Sequence, residues 1–172
     1  FGDYTDWVRK SSIERYATAR DLIVVMPSGL NSNYLNWPGF GTGYRAWDYL
    51  FDELMPLVHN WYPASSKRED NYIAGLSMGG RGTIKFAVNH PDKFAAAAVL
   101  SAAPVDFSLI SPGNPNMMLD CANPRTLASI ENAGGLEAYQ NSCENVWAII
   151  DKLAPTGKLP RLMFACGTED AM

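Results

Sequence analysis

The chain has 172 residues, 47% of them hydrophobic and 19% charged, with a formal net charge of −4. That is enough apolar material for a sizeable core, and residues 1–172 read as a single domain. The mild acidity and the lack of a basic run argue against nucleic acid or an anionic membrane as partner, and no apolar stretch approaches the ~20 residues of a membrane span.

Taken in order, Phe1 to Lys10 reads as loop. Ser11-Ser12-Ile13-Glu14 has capping-box spacing and predicts a short helix from Ser12 to about Ala19. Leu22 to Met26 is a continuous apolar run closed by Pro27, the pattern of a strand buried on both faces. Residues 28–43 form a long loop carrying the aromatics Tyr34, Trp37 and Phe40, and loops of that length inside a domain are more often functional than not. From Tyr44 to Trp61 apolar residues recur at helical spacing, with Pro56 expected to kink or restart the helix.

Lys67 to Asp70 is a charged turn before an apolar strand beginning near Tyr72. A helix follows from Arg81 to Asn89 and closes at His90-Pro91-Asp92. Phe94 to Leu100 reads as a second buried strand. Pro104 to Pro124 is irregular, and short helices are predicted at Leu127–Ile130, Leu136–Tyr139 and Val146–Leu153. A last strand, Pro160 to Cys166, ends in Gly167-Thr168-Glu169-Asp170. Strands alternating with helices predict an α/β fold, a mostly parallel sheet with helices on both faces. Residues 104–153 are expected to form a small lid region.

The three cysteines, Cys121, Cys143 and Cys166, have no metal-like spacing. Cys166 is expected to be a buried small hydrophobe. Cys121 and Cys143 could pair in a secreted protein, but nothing in the sequence demands it. With no signal-peptide pattern and no N-x-S/T site, the expectation is a cytoplasmic protein.

Chemistry concentrates at Gly75-Leu76-Ser77-Met78-Gly79, a G-x-S-x-G between strand and helix. Three fixed residues in five occur often by chance, and a glycine-rich turn in any α/β protein would look alike. The flanking strand and helix supply the context of a nucleophile elbow, where Ser77 sits on a strained turn at a helix N-terminus. Phosphate-loop readings fail, because Arg81 and Gly82 stand where a P-loop needs Lys and Ser/Thr.

A serine nucleophile needs a base, normally histidine, oriented by a carboxylate. Asp170, just past the last strand, is the favoured carboxylate; Glu169 and Asp106 are its rivals. His59 precedes the serine on a helix, and His90 lies at the far end of the helix that Ser77 opens. A 13-residue offset at ~1.5 Å per residue puts it roughly 20 Å away. The base is therefore expected beyond Met172, with Phe1-Gly2 the tail of a loop carrying a second oxyanion donor.

The chain resembles the esterase D family of α/β-hydrolases, which includes tributyrin esterases, S-formylglutathione hydrolases and feruloyl esterases. The matching pieces are Gly2 to Trp7, Ile13 to Ala17, Val25-Met26-Pro27, Lys67 to Asp70, Ala74 to Gly80, His90 to Phe94 and Ala165 to Asp170. The resemblance implies an α/β-hydrolase fold, here without its first strands and its last strand, with Ser77 as nucleophile and Asp170 as triad acid. It also implies an oxyanion N–H from Met78. The implied activity is hydrolysis of short-chain acyl esters, with a small-molecule ester as partner and no metal or organic cofactor. Trp37 and Phe40, with Tyr34 and Trp47 beside them, could wall an acyl pocket, although core packing or loop anchoring would use them equally well. Oligomerisation stays open. Alternatives are S-formylglutathione hydrolase or acyltransferase activity on the same scaffold, and a non-catalytic binding module on a hydrolase fold.

Overall fold

The computed structural model describes residues 2–41, 43–102 and 104–170. They form two compact units, Phe1–Ser66 and Lys67–Met172.

In the first unit a helix, α1 (Asp6–Lys10), replaces part of the expected loop. Asp3 starts it by accepting the Thr5 N–H at 2.7 Å, and Lys10 pairs with Asp6 at 3.0 Å, one turn apart. Helix α2 (Ile13–Thr18) lies where predicted, but the capping box does not form. Ser12 makes no side-chain cap, and the Ser11 hydroxyl accepts the Ile13 N–H instead, at 3.3 Å. The run Leu22 to Met26 is not a strand. It joins no ladder among the described residues, and Leu22, Ile23, Val24 and Val25 are exposed. An apolar run records a capacity for burial, whereas a strand also needs a neighbour to pair with, which no local pattern supplies.

The long helical stripe is one continuous run in three parts: α3 (Ala46–Asp48), a π-helical stretch Tyr49–Leu54, and α4 (Met55–Trp61). Pro56 neither stops nor restarts it. Proline has no N–H for the carbonyl four residues back and its ring crowds that carbonyl. The preceding turn widens to i→i+5 bonding, with Met55 N–H on the Leu50 carbonyl, and the helix passes over the proline.

The second unit holds a parallel sheet of β1 (Tyr72–Leu76), β2 (Ala96–Leu100) and β3 (Arg161–Ala165), in that spatial order. Helix α5 (Met78–Asn89) connects β1 to β2. Between β2 and β3 come α6 (Pro124–Ala133), α7 (Leu136–Gln140) and α8 (Val146–Leu153). Ile84 and Val88 of α5 and Val146 of α8 meet Val99 of β2 in the main core, joined by Ile149, Ile150, Leu153 and Leu162. A smaller core gathers Phe107, Ile130 and Tyr139. Among the described residues no helix is long and apolar enough to cross a membrane.

Candidate active site

The chain leaves β1 at Leu76 and enters α5 at Met78, so one residue, Ser77, makes the whole turn. It does so at φ 55°, ψ −116°, a left-handed φ that an L residue with a Cβ rarely adopts. Two glycines make room. A Cβ on Gly75 would overlap the Gly79 carbonyl, and one on Gly80 would sit 2.8 Å from both the Ala102 Cβ and the Leu100 carbonyl oxygen. The close approach after the serine thus falls on Gly80. Ser77 N–H donates to the Leu100 carbonyl at 2.9 Å, tying the turn to the neighbouring strand.

Ser77 occupies the N-cap of a 12-residue helix, yet its hydroxyl makes no capping bond and the residue is exposed. The oxygen is therefore available at the positive end of a helix dipole. Met78 is the first residue of α5, where a backbone N–H has no acceptor within the helix. Hydroxyl and amide lie at one helix end, an arrangement suited to negative charge developing on an acyl oxygen.

Register then relates Ser77 to Asp170. Leu76 pairs with Leu100 and Leu100 with Ala165, so Ser77, Ser101 and Cys166 follow side by side at the carboxyl ends of three parallel strands. Neighbouring strands lie about 4.8 Å apart, which brings the chain after β3 to the edge where Ser77 emerges. There Asp170 closes a turn, its N–H donating to the Gly167 carbonyl at 3.2 Å. Cys166 is exposed just past β3, not buried within it, because β3 is itself an edge strand with little covering it. Its thiol is pushed above the ordinary value, first by partial desolvation and then by its hydrogen bond to the Asp170 carboxylate. All three cysteines are free thiols.

Of the rival carboxylates, Glu169 lies in the same exposed turn as Asp170. Asp106 is committed elsewhere: it caps the 3-10 turn Phe107–Leu109 by accepting the Ser108 N–H at 2.9 Å. The Ser108 hydroxyl first, and then this N–H, hold its carboxyl below the ordinary value. His90 is the C-cap of α5, at the opposite end of that helix from Ser77, and His59 lies in α4 of the first unit. The expected oxyanion-loop tail falls on Phe1, outside the described residues, and on Gly2, which has φ 43°.

Trp37 and Phe40 belong to the first unit. Their rings pack edge to face with centroids 5.4 Å apart, and Trp37 Nε1 donates to the Ser32 carbonyl at 2.6 Å. Trp47 packs near Phe51, at 6.0 Å. Burial pushes the Tyr34 phenol upward. Among the described residues no group of three or more His, Cys, Asp or Glu side chains is placed to hold a metal ion.

Sequence reasoning missed the polar side of α5. Lys85 is buried, 3.6 Å from the Glu144 carboxylate, and Asn89 Nδ2 donates to the Cys143 carbonyl at 3.0 Å. Arg81, Lys85 and Asn89 stand one turn apart on one helix face. That spacing was readable; a partner so distant in the chain was not.

The Esterase family model matches residues 3–155. The chain belongs to the Esterase family. An acetyl esterase of Caldicellulosiruptor saccharolyticus is 27% identical over 176 residues, covering 98% of this chain and 62% of that protein. Two solved Staphylococcus aureus structures are also similar. One is FphF, a fluorophosphonate-binding serine hydrolase with substrate bound, at 34% identity and TM-score 0.71, covering 98% of this chain and 61% of that one. The other is the S-formylglutathione hydrolase FrmB in its apo form, at 33% identity and TM-score 0.70, covering 97% and 61%. This member of the Esterase family thus spans about three fifths of the length of these relatives. Its parallel sheet and surrounding helices are a partial α/β-hydrolase fold.

Proposed function

We propose that the protein is a serine carboxylesterase that hydrolyses short-chain acyl esters through an acyl-serine intermediate. The observation that carries the reading is the backbone of Ser77, held at a left-handed φ between a strand and the helix it opens, with no capping bond from its hydroxyl. In the proposed reaction Ser77 Oγ attacks the ester carbonyl carbon while its proton passes to an imidazole. The Met78 N–H holds the resulting oxyanion, and collapse expels the alcohol with that proton. Water repeats the sequence on the acyl-serine and regenerates the hydroxyl. Asp170 is the carboxylate that orients the imidazole. His90 is remote, so the reading requires an imidazole from outside this helix, and its test uses the product of the complete gene.

Trp37 and Phe40 are proposed as walls of an acyl pocket. A covering role for part of residues 104–153 would fall to the stretch before α8, because α8 is a core helix.

The test is turnover of p-nitrophenyl acetate, butyrate and octanoate by the complete gene product beside Ser77→Ala. Loss of at least about a thousandfold in the variant is expected, with the short esters preferred. Equal turnover by both proteins would sink the nucleophile assignment. The similarity to FrmB favours one further reading, thioester hydrolysis, and S-formylglutathione in the same assay separates the two by kcat/KM.

A further inference from the structure

The cationic and amide face of α5 has no part in the proposed reaction, yet it contains a buried ion pair. The Lys85 and Glu144 side chains are only 4% and 8% exposed and lie 3.6 Å apart. Burial pushes the Lys85 ammonium down from its ordinary range, and the Glu144 carboxylate opposes that shift. A buried pair of this kind contributes little net stability against a well-packed apolar pair, because desolvation of both charges offsets their attraction. What it supplies is direction, since neither charge is tolerated in the interior unless the two elements bring it to the other.

The surroundings show which elements are being placed. One turn after Lys85, Asn89 reaches the Cys143 carbonyl, so two successive turns of α5 attach to consecutive residues of one segment. That segment is itself anchored. Ser142 Oγ donates to the Tyr139 carbonyl at 2.7 Å, Asn145 Nδ2 to the Gln140 carbonyl at 2.7 Å, and Gln140 Nε2 to the Phe107 carbonyl at 3.1 Å. Tyr139 is 4% exposed and stacks on Phe107 with centroids 4.6 Å apart. The adjoining face of α5, Ile84 and Val88, packs into the apolar core around Val99, through contacts that are non-directional and tolerate small axial slips.

We propose that the Lys85–Glu144 pair, with Asn89, is a positioning device that sets the axial register of α5 and thereby the position of Ser77 and the Met78 N–H. The proposal rests on the nucleophile assignment above. An oxyanion donor works only at about 2.7–3.1 Å from the developing charge, and a misplacement of about 1 Å can cost on the order of a hundredfold in rate. Lys85 and Glu144 touch no reacting atom; they act through the helix.

The test compares wild type, Lys85→Met/Glu144→Leu, Glu144→Asp, Lys85→Arg and Ser77→Ala in the complete gene product, with melting temperature and ester kinetics for each. The apolar pair removes both charges together but takes the Glu144 carboxylate away from the partly buried Arg81, so it is expected to fold with a lowered melting temperature. Its kcat is expected to fall about tenfold or more while KM stays within about threefold, the pattern of a contact that matters in the transition state. Glu144→Asp keeps the charge but retracts the carboxylate by one methylene, and the same split is expected, smaller. Lys85→Arg, which keeps charge and reach, is expected to hold kcat within about threefold. Wild-type kcat in the folded apolar pair would show a purely structural pair and overturn the proposal. Should that variant not fold, wild-type kcat in Glu144→Asp overturns it equally. Full turnover by Ser77→Ala would instead refute the nucleophile assignment, and the positioning role would fall with it.

Discussion

At Gly75 an added Cβ would overlap the Gly79 carbonyl and stand 2.8 Å from Thr83 Oγ1, and Thr83 is itself buried. Neither obstacle is the free end of a flexible side chain. One is backbone of the first turn of α5, so relief would require the helix to back away from the strand just where Ser77 joins them. Gly75→Ala is therefore expected to lower stability by about 3 kcal/mol or more, the upper range for overpacking, and to lose esterase turnover with it. Gly39 provides the control. A Cβ there meets nothing within 4 Å and its φ is not left-handed. Gly39→Ala is expected to change stability by less than about 1 kcal/mol. Chemical denaturation of the two variants separates crowding at the elbow from the general effect of replacing glycine.

The elements of the first unit are tied by a polar knot at the start of its long helical run. Asp48, at the end of α3, accepts Asn36 Nδ2 at 2.6 Å and Arg45 Nε at 2.9 Å. Asn36 Oδ1 in turn accepts the Trp47 and Asp48 N–H groups, two of the donors that a helix start leaves without partners. The Asn36 bond first, and Arg45 second, hold the Asp48 carboxyl below its ordinary value of 3.8. Between that depressed value and 3.8 the unfolded chain binds more protons than the folded one, so stability rises with pH across this window. The contribution is complete above the unfolded value and is lost as pH falls through the folded one. Asp48→Asn is thus expected to weaken the first unit at neutral pH and to flatten its acid limb below about pH 3.8. Trp37 and Trp47 lie beside the knot, and an acid titration of tryptophan fluorescence in both proteins would show it. Retention of the full acid limb in the variant would assign that limb to other carboxylates.

Over the whole molecule, what was legible in the sequence was what a short window determines. The elbow was readable because glycine at two sides of a serine, between an apolar strand and a helix, specifies a turn that few other residues permit. The strands near Tyr72, Ala96 and Arg161 and the helix Val146–Leu153 were readable for the same reason. What a window could not supply was a partner. Leu22 to Met26 has the composition of a strand but no ladder among the described residues, Pro56 is absorbed by a π-helical turn set up before it, and Lys85 finds Glu144 far along the chain. The same distinction orders stability within the second unit. β2 is paired on both sides, Val99 is fully buried, and Ala97 is nearly so, whereas Tyr72 of β1 and Met163 and Phe164 of β3 keep about half their surface exposed. Local opening frees an edge strand while leaving the rest of the sheet intact, but freeing β2 breaks both ladders and the core around Val99 at once. Native-state hydrogen exchange is therefore expected to show the slowest amides in Ala96–Leu100, exchanging only with global unfolding. The Ile23–Val25 amides, outside any ladder among the described residues, are expected to exchange fastest among the apolar runs, whereas the Leu22 N–H donates to the Ala17 carbonyl at 3.1 Å. Protection of Ile23–Val25 equal to that of β2 would mean that this segment is paired in solution and that its strand-like composition is being used.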